Sequence, residues 1–238
     1  NVTLVGFTLT NGYAGNGGGT YYGTVRNCVL TGNHAYDNGG GSYYGVLENC
    51  MIEGNQGDDY GGGAYYGTLK GCTLVGNTTR SYGGGSSYAT LIDCHLSGNR
   101  SASYGGGAFA GTLRRCVLKD NESGNYGGGA YAAYLYSCAL SENRSANYGG
   151  GSYDGYLYNC TVTRNVARVG AGSYSDYVYN SIVWDNFQAD GQTLDNYKSS
   201  SLYYSCSLPR YSNSGNIDAD PLLCEIGDGV FGCLAESP

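Results

Sequence analysis

The chain of 238 residues contains very little proline, methionine, tryptophan or histidine. It has three prolines, one methionine, one tryptophan and two histidines. Scarce proline, together with glycines that show no three-residue period, excludes a collagen-like chain. No apolar run approaches about 18 residues, so the sequence contains no candidate for a transmembrane helix.

Positive charge is also scarce, and no basic stripe runs along the sequence. Residues 1–177 carry 11 acidic and 10 basic side chains, whereas residues 178–238 carry 8 acidic and 2 basic ones. The net charge of -7 therefore arises mostly in the last quarter of the chain. A nucleic acid is not an expected partner, since it would need clustered lysine and arginine.

The abundant features form an internal repeat with a period of 22 residues. Each unit begins with three glycines, at 17, 39, 61, 83, 105, 127 and 149, and continues to one cysteine and one asparagine. The cysteines are Cys28, Cys50, Cys72, Cys94, Cys116, Cys138 and Cys160. The asparagines are Asn33, Asn55, Asn77, Asn99, Asn121, Asn143 and Asn165. A constant period in the low twenties indicates a solenoid, in which each repeat forms one coil.

Two columns of branched apolar residues define the inside of each coil. The first runs from Val25 through Leu47 to Val178, and the second from Leu30 through Ile52 to Val183. Each cysteine lies two residues before the second column and so shares its face of a strand. Three inward positions so close together require a bend between the first column and the cysteine. The sequence predicts an all-β, right-handed parallel β-helix of about eight to nine coils over residues 1–186. Residues 187–238 are predicted to form an irregular last coil and a C-terminal cap or junction.

The positions that follow the three glycines are assigned to the inner or the outer face of the coil from the residues that recur there. We expect the small residues of the Thr20 column to point outward and the aromatic residues of the Tyr21 column to point inward. The next position holds Tyr22, Tyr44, Tyr66 and Tyr88 in the early coils. Because Asp154 shares that position, and an unpaired acid is not buried, we expect this column to be exposed.

The cysteine column could suggest a metal array or a set of disulfides. One cysteine per coil places the thiols in a row, whereas a metal site needs several ligands around one point. Parallel side chains on neighbouring coils also suit disulfide geometry poorly. We therefore predict that these cysteines are small, buried apolar residues. Cys224 and Cys233 lie outside the column, around a Gly-Asp-Gly turn, and are interpreted either as a disulfide-bonded pair or as free thiols.

The asparagine column predicts a structural ladder, in which stacked amides bond to one another and to the backbone at a tight turn. Several ladder asparagines also begin an Asn-X-Ser/Thr glycosylation pattern. These are Asn77, Asn99, Asn121 and Asn143. Because they belong to the ladder, we expect them to point inward, where they are inaccessible to modification.

No catalytic, metal or cofactor site is predicted. Polysaccharide cleavage needs paired carboxylates, or a base beside a bound cation. The acids outside the repeat pattern are Asp58-Asp59, the pair Asp154 and Asp176 on the expected outer face, and Asp218 with Asp220. None has a matching acid, base and arginine column, so we interpret them as solvated surface charges.

The repeat GGG-[AST]-[YF]-x₃-[LV]-x₂-C-x-[LIV]-x₂-N resembles the right-handed parallel β-helix repeat of bacterial surface proteins, including polymorphic outer-membrane and autotransporter passenger proteins. The segments GFTLTNG (6–12) and DADPLL (218–223) are similar to those of large secreted β-helix proteins of Verrucomicrobia-like bacteria. The resemblance implies an extracellular or cell-surface location and an adhesive or structural role. Some β-helix relatives cleave polysaccharides, but their catalytic residues have no matching positions in this chain.

Two functional hypotheses follow. The first is a non-catalytic structural module of a surface protein, adhesin or filament, whose partners are further modules or other copies joined end to end. The second is a carbohydrate-active or glycan-binding β-helix, in which Tyr22, Tyr44, Tyr66 and Tyr88 contact sugars.

Overall fold

The chain forms an all-β parallel solenoid of about nine coils, as the sequence predicts. The structure is a computed structural model that describes residues 2–212, 215–227 and 230–233. None of these residues forms a helix. Within the described part of the chain, no helix is long and apolar enough to cross a membrane.

Three parallel sheets form the walls of the solenoid. Sheet A contains β1 (Thr3–Val5), β4 (Thr20–Tyr21), β5 (Thr24–Arg26), β8 (Ser42–Tyr43), β9 (Val46–Glu48), β12 (Ala64–Tyr65), β13 (Thr68–Lys70), β16 (Ser86–Ile92), β19 (Ala108–Arg114), β22 (Ala130–Tyr136), β25 (Ser152–Tyr153), β26 (Tyr156–Tyr158), β29 (Ser173–Tyr174), β30 (Tyr177–Tyr179), β33 (Tyr197–Lys198) and β34 (Ser201–Tyr203). Sheet B contains β2 (Thr8–Thr10), β6 (Val29–Thr31), β10 (Met51–Glu53), β14 (Thr73–Val75), β17 (His95–Ser97), β20 (Val117–Lys119), β23 (Ala139–Ser141), β27 (Thr161–Thr163), β31 (Ile182–Trp184) and β35 (Cys206–Ser207). Sheet C contains β3 (Tyr13–Asn16), β7 (His34–Asn38), β11 (Gln56–Gly57), β15 (Thr78–Thr79), β18 (Arg100–Ser101), β21 (Glu122–Ser123), β24 (Arg144–Ser145), β28 (Val166–Ala167) and β32 (Phe187–Gln188). An antiparallel hairpin of β36 (Leu223–Gly227) and β37 (Val230–Cys233) follows the coils.

Neighbouring coils pair residue for residue at the sequence period. Leu47 pairs with Leu69 in sheet A, and Ile52 pairs with Leu74 in sheet B. This register places similar residue types above one another, so both predicted apolar columns are continuous and buried. Burial of one branched side chain in each column of every coil is the main apolar stabilisation of the rod.

The bends between the sheets occur at single residues in the left-handed backbone region. One bend precedes each cysteine, for example at Asn27 (φ 49°), and another precedes each ladder asparagine, for example at Gly32 (φ 62°). The bend predicted between the first apolar column and the cysteine is therefore confirmed. Glycine and asparagine are favoured at such corners because they reach this region at low cost.

The predicted facing of the Thr20 and Tyr21 columns is wrong, and the two are reversed. The small residues are buried, from Thr20 through Ala64 to Ser173, whereas Tyr21 is 61% exposed. The reason is that Tyr22 adopts a left-handed conformation (φ 58°), as do its counterparts in later coils. This corner breaks the strand alternation, so Tyr21 and Tyr22 both point outward.

The expected outer position of Asp176 is also wrong, although Asp154 is exposed as predicted. The coil that contains Asp154 is one residue shorter than the 22-residue coils before it, so Tyr156 pairs with Tyr177. Asp176 consequently lies in register with Gly155, on the inward side of the corner, and is 1% exposed.

The two ends of the rod differ. Near the C-terminal end, the segment that follows the last coil runs parallel to β35, and Ile217 forms backbone hydrogen bonds with Ser205 and Ser207 at 3.0 and 3.1 Å. At the N-terminal end, β1, β2 and β3 are edge strands that pair only with the coil that follows them. Leu4 and Leu9 pack against the core there but are only partly buried.

Candidate functional site

The asparagine ladder is a continuous buried hydrogen-bond chain along one corner. At Asn77, the backbone N–H and Nδ2 both donate to Oδ1 of Asn99, each at 3.0 Å. Its Nδ2 also donates to the carbonyl of Ile52 at 2.8 Å. The same three bonds recur from Asn55 to Asn143, and the ladder asparagines are buried. The glycosylation patterns that begin at these residues are therefore inaccessible in the folded chain.

Both ladders extend further than the sequence repeat indicates. Asn165 donates to Asn186, and Asn186 donates to Asn196 across an insertion, with Nδ2–Oδ1 distances of 2.9 and 3.0 Å. Beyond Cys160, the cysteine column continues as Ser181 and Ser205. The sequence identifies Ser181 as the residue that replaces the cysteine, at a spacing of 21, but the changed spacing concealed Asn186, Asn196 and Ser205. Asn186 follows Asn165 by 21 residues and could have been found by allowing a one-residue deletion.

The cysteine column is a row of buried free thiols. Each Sγ lies 3.1 to 3.5 Å from the carbonyl of the residue two positions earlier. A hydrogen bond between the thiols of Cys94 and Cys116, together with burial, raises the pKa of Cys94 to about 12. The Cys94 thiol is therefore protonated at neutral pH, which agrees with the small buried apolar residue predicted from the sequence.

The predicted disulfide between Cys224 and Cys233 falls on the terminal hairpin. The backbone places Cys224 opposite Gly232, and Leu223 opposite Cys233. The side chains of both cysteines lie outside the described residues, so the disulfide stays a prediction.

Stacked aromatic columns cover much of the outer surface. The Tyr22 column runs through Tyr44, Tyr66 and Tyr88, with successive ring centroids 4.7 to 5.4 Å apart and ring planes within 12 to 23°. A second column follows the Tyr21 position, and a third runs from Tyr60 to Tyr148. Their spacing follows the strand separation of about 4.8 Å.

This stacking determines what the tyrosines offer to a ligand. Rings that lie face to face cover each other's π surfaces, which leaves ring edges and phenolic hydroxyls toward solvent. Within the Tyr22 column, all ring contacts of Tyr22 come from its own coil and the next one. Tyr22 therefore lies at the end of the column, with one ring face outside the stack.

A further group of seven outward tyrosines lies on sheet A in the later coils, and the sequence analysis did not single it out. We call it the tyrosine block. Its first row is Tyr134, Tyr156 and Tyr177, and its second row is Tyr136, Tyr158, Tyr179 and Tyr203. The guanidinium of Arg114 lies 4.4 Å from the ring centroid of Tyr136, at the start of the second row.

Asp58, one of the acids singled out in the sequence, lies in a cluster of polar side chains. Asp58 Oδ1 lies 2.9 Å from Gln56 Nε2, 3.2 Å from His34 Nε2 and 3.5 Å from Arg80 Nε. Partial burial opposes ionisation of Asp58, but the hydrogen bonds from Gln56 and His34 outweigh it and lower the pKa. This cluster serves to tie successive coils of sheet C together.

Asp176 is a buried acid held by neutral donors. It accepts hydrogen bonds from the backbone N–H of Gly155 at 2.6 Å, from Ser173 Oγ at 2.6 Å and from Ser152 Oγ at 3.1 Å. Burial raises its pKa to about 7, and these hydrogen bonds offset only part of that effect. Without a second acid or a base hydrogen-bonded to it, its position inside the wall suits a packing role.

Few other features of the described residues suggest a ligand. A groove of about 440 Å³ lies between the last coil and the segment that follows it, and its lining includes Tyr204, Ile217 and Leu222. Within the described part of the chain, no group of three or more His, Cys, Asp or Glu side chains could hold a metal ion.

Comparison with known proteins adds no relative. No family model and no curated protein matches the chain. The solenoid fold therefore stands on the structure itself, and the resemblance to bacterial surface proteins stays a hypothesis.

Proposed function

We propose that the protein is a non-catalytic, extracellular structural rod that joins a further β-coil at its N-terminal end. The observation that carries this proposal is the open first coil. Its Phe7, in register with the buried Cys28 of the next coil, is 56% exposed, and Val2 is 71% exposed. In the next coil, the counterparts of Leu4 and Leu9 are Val25 and Leu30, which are fully buried.

An open end of this kind invites strand pairing. The outward N–H and C=O groups of an edge strand are ready to pair with another chain, and exposed apolar side chains add to the attraction. A coil from a neighbouring module or a second copy would cover Leu4 and Leu9. It would also extend all three sheets.

The test is to compare the oligomeric state of the wild-type chain with that of the double variant Val5→Lys, Phe7→Lys. Light scattering and negative-stain microscopy at high concentration should show end-to-end particles for the wild type and single rods for the variant. Val46→Lys is a matched control, because Val46 is an exposed valine in the second complete coil, away from the open edge. Monodisperse single rods of the wild type would contradict end-to-end association.

Glycan binding is a second proposal, supported by the free ring face of Tyr22. Sugar rings stack on exposed aromatic faces, and in this column only an end ring offers one. Titration with neutral oligosaccharides, followed by NMR, should show binding that Tyr22→Ala abolishes and Tyr66→Ala leaves intact. Equal loss in both variants would contradict this assignment.

A further inference from the structure

The tyrosine block is not required by the solenoid fold. In the earlier coils, the position of the first row is held by Thr24, Val46, Thr68, Thr90 and Thr112. Threonine is a good strand residue, so these coils form the same sheet without aromatic side chains. Seven tyrosines confined to the later coils therefore need an explanation other than sheet formation.

The rings of the block are arranged as close, nearly parallel pairs. In the first row, Tyr134 and Tyr156 have centroids 4.9 Å apart and planes within 6°, and Tyr156 and Tyr177 are 5.1 Å apart within 10°. In the second row the three successive separations are 5.2, 5.1 and 4.9 Å. Each pair joins two neighbouring coils, so a bond within a pair would connect residues 21 to 24 positions apart.

We propose that the block is a site of oxidative dityrosine cross-linking between coils. The oxidant is hydrogen peroxide used by a peroxidase, which removes one electron and one proton from each of two phenols. The two phenoxyl radicals join through ring carbons ortho to their hydroxyl groups, and the two displaced ring hydrogens return to the oxygens. One peroxide is reduced to two waters for each carbon–carbon bond formed.

The geometry favours coupling within a row. Two radicals held on neighbouring rings do not need to meet by diffusion, and such proximity greatly raises the rate of a bond-forming step. Tyr134 and Tyr177 are 44% and 45% exposed, so an external oxidant can reach both ends of the first row. The seven thiols of the cysteine column, which would otherwise reduce tyrosyl radicals, are buried.

The location gives the cross-links a structural purpose. Beyond Cys160, serine replaces cysteine in the column, and the 22-residue period fails in the coils that follow. Links from Tyr156 to Tyr177 and from Tyr179 to Tyr203 would join these less regular coils covalently to the regular ones. Like a disulfide, each link would restrict the unfolded chain and so stabilise the folded one. This inference does not depend on end-to-end association of the rod.

The experiment is to treat dilute wild-type protein with hydrogen peroxide and a peroxidase and to map linked tryptic peptides by mass spectrometry. Trypsin places each part of the block in a separate peptide: 120–144, 145–164, 169–198 and 199–210. We expect linked neighbours that have lost two hydrogens, with dityrosine fluorescence and no dimer on a denaturing gel. The urea midpoint of the linked protein should also rise.

The double variant Tyr156→Phe, Tyr158→Phe keeps stacked rings but removes two phenols. It is made in a Tyr153→Phe background, because Tyr153 stacks on Tyr131 and Tyr174 in the same tryptic peptides. The triple variant should abolish links of 145–164 to both neighbours and keep the link between 169–198 and 199–210. The matched control is Tyr153→Phe alone, which should leave all these links in place. Links of 145–164 that survive in the triple variant, or a wild type that links only between molecules or not at all, would overturn the proposal.

Discussion

At the scale of single residues, buried polar side chains complete the hydrogen bonding of each coil. The side chain of each ladder asparagine satisfies a backbone N–H and a backbone carbonyl of the preceding coil. Asn99, for example, accepts from the backbone N–H and Nδ2 of Asn77 and donates to the carbonyl of Leu74. Because unsatisfied buried groups are costly, the ladder makes each coil dependent on its neighbours.

We predict that Asn99→Ala lowers the free energy of unfolding by about 3–5 kcal/mol, since it leaves several buried donors and acceptors without partners. Chemical denaturation followed by circular dichroism measures the change. Thr78→Ala, at an exposed position of sheet C, is the control and should cost less than about 1 kcal/mol. A loss at Asn99 no larger than the loss at Thr78 would show that the ladder is not stabilising.

Asp176 gives the protein a predictable pH dependence. The pKa of its carboxyl group is about 7 in the folded chain, against an ordinary value of 3.8. The folded state therefore binds the proton more tightly than the unfolded state does. The resulting stabilisation is full below the unfolded pKa and is lost as the pH rises from about 4 through about 7. Asp176→Asn should remove this slope and raise stability at pH 8, by at most about 4 kcal/mol. Parallel pH profiles of the two proteins would refute the assignment.

The thiols of the cysteine column should not react with alkylating reagents until the chain unfolds. Its thiols are buried, and the pKa of Cys94 and of Cys116 is raised to about 12 by hydrogen bonds to neighbouring thiols and by burial. We expect no iodoacetamide labelling of the seven ladder cysteines in the native protein at pH 8 and complete labelling in denaturant. Peptide mass spectrometry checks each site, and rapid native labelling at any of them would contradict the buried ladder.

At the scale of the coil, the corner residues limit stability. The corner before the ladder asparagine is glycine in four early coils, at Gly32, Gly54, Gly76 and Gly98, but it is Glu142 (φ 58°) in a later one. A side chain with a β-carbon is strained in this region. Glu142→Gly should therefore stabilise the protein by about 0.5–1 kcal/mol, despite the loss of the weak ion pair with Lys119.

Thermal unfolding measures this effect, and Gly98→Glu should produce the opposite change. A β-carbon added at Gly98 would meet no atom within 4 Å, so backbone strain is the main cost of that substitution. A destabilised Glu142→Gly protein would mean that side-chain contacts outweigh the corner geometry.

The repeat period made the coil, the inward leucine columns and both ladders predictable, because each depends on strict in-register stacking. The facing of Tyr21 was not predictable from strand alternation. Tyr22 lies in the left-handed backbone region and adds a corner to the coil. Its residue type does not indicate this corner, because tyrosine is unusual in that region. Asp176 was misplaced for a related reason, because a coil shortened by one residue moves it to the inner side of the wall.

At the scale of the whole molecule, the fold is a rod with unlike ends. The regular coils complete one another's hydrogen bonds, so their interior leaves little unsatisfied. The ends differ because Ile217 pairs in parallel with Cys206 of the last coil, whereas Leu4 and Leu9 are left only partly covered at the first. The proposed partner that continues the sheets would cover Leu4 and Leu9.

The most direct test is hydrogen exchange of the wild-type chain at low and at high protein concentration, followed by peptide mass spectrometry. Association at the open end predicts that the amides of β1, β2 and β3 become protected as concentration rises, while those of the middle coils do not change. Exchange at Thr3–Val5 and Tyr13–Asn16 that is independent of concentration, or new protection elsewhere on the rod, would contradict the account.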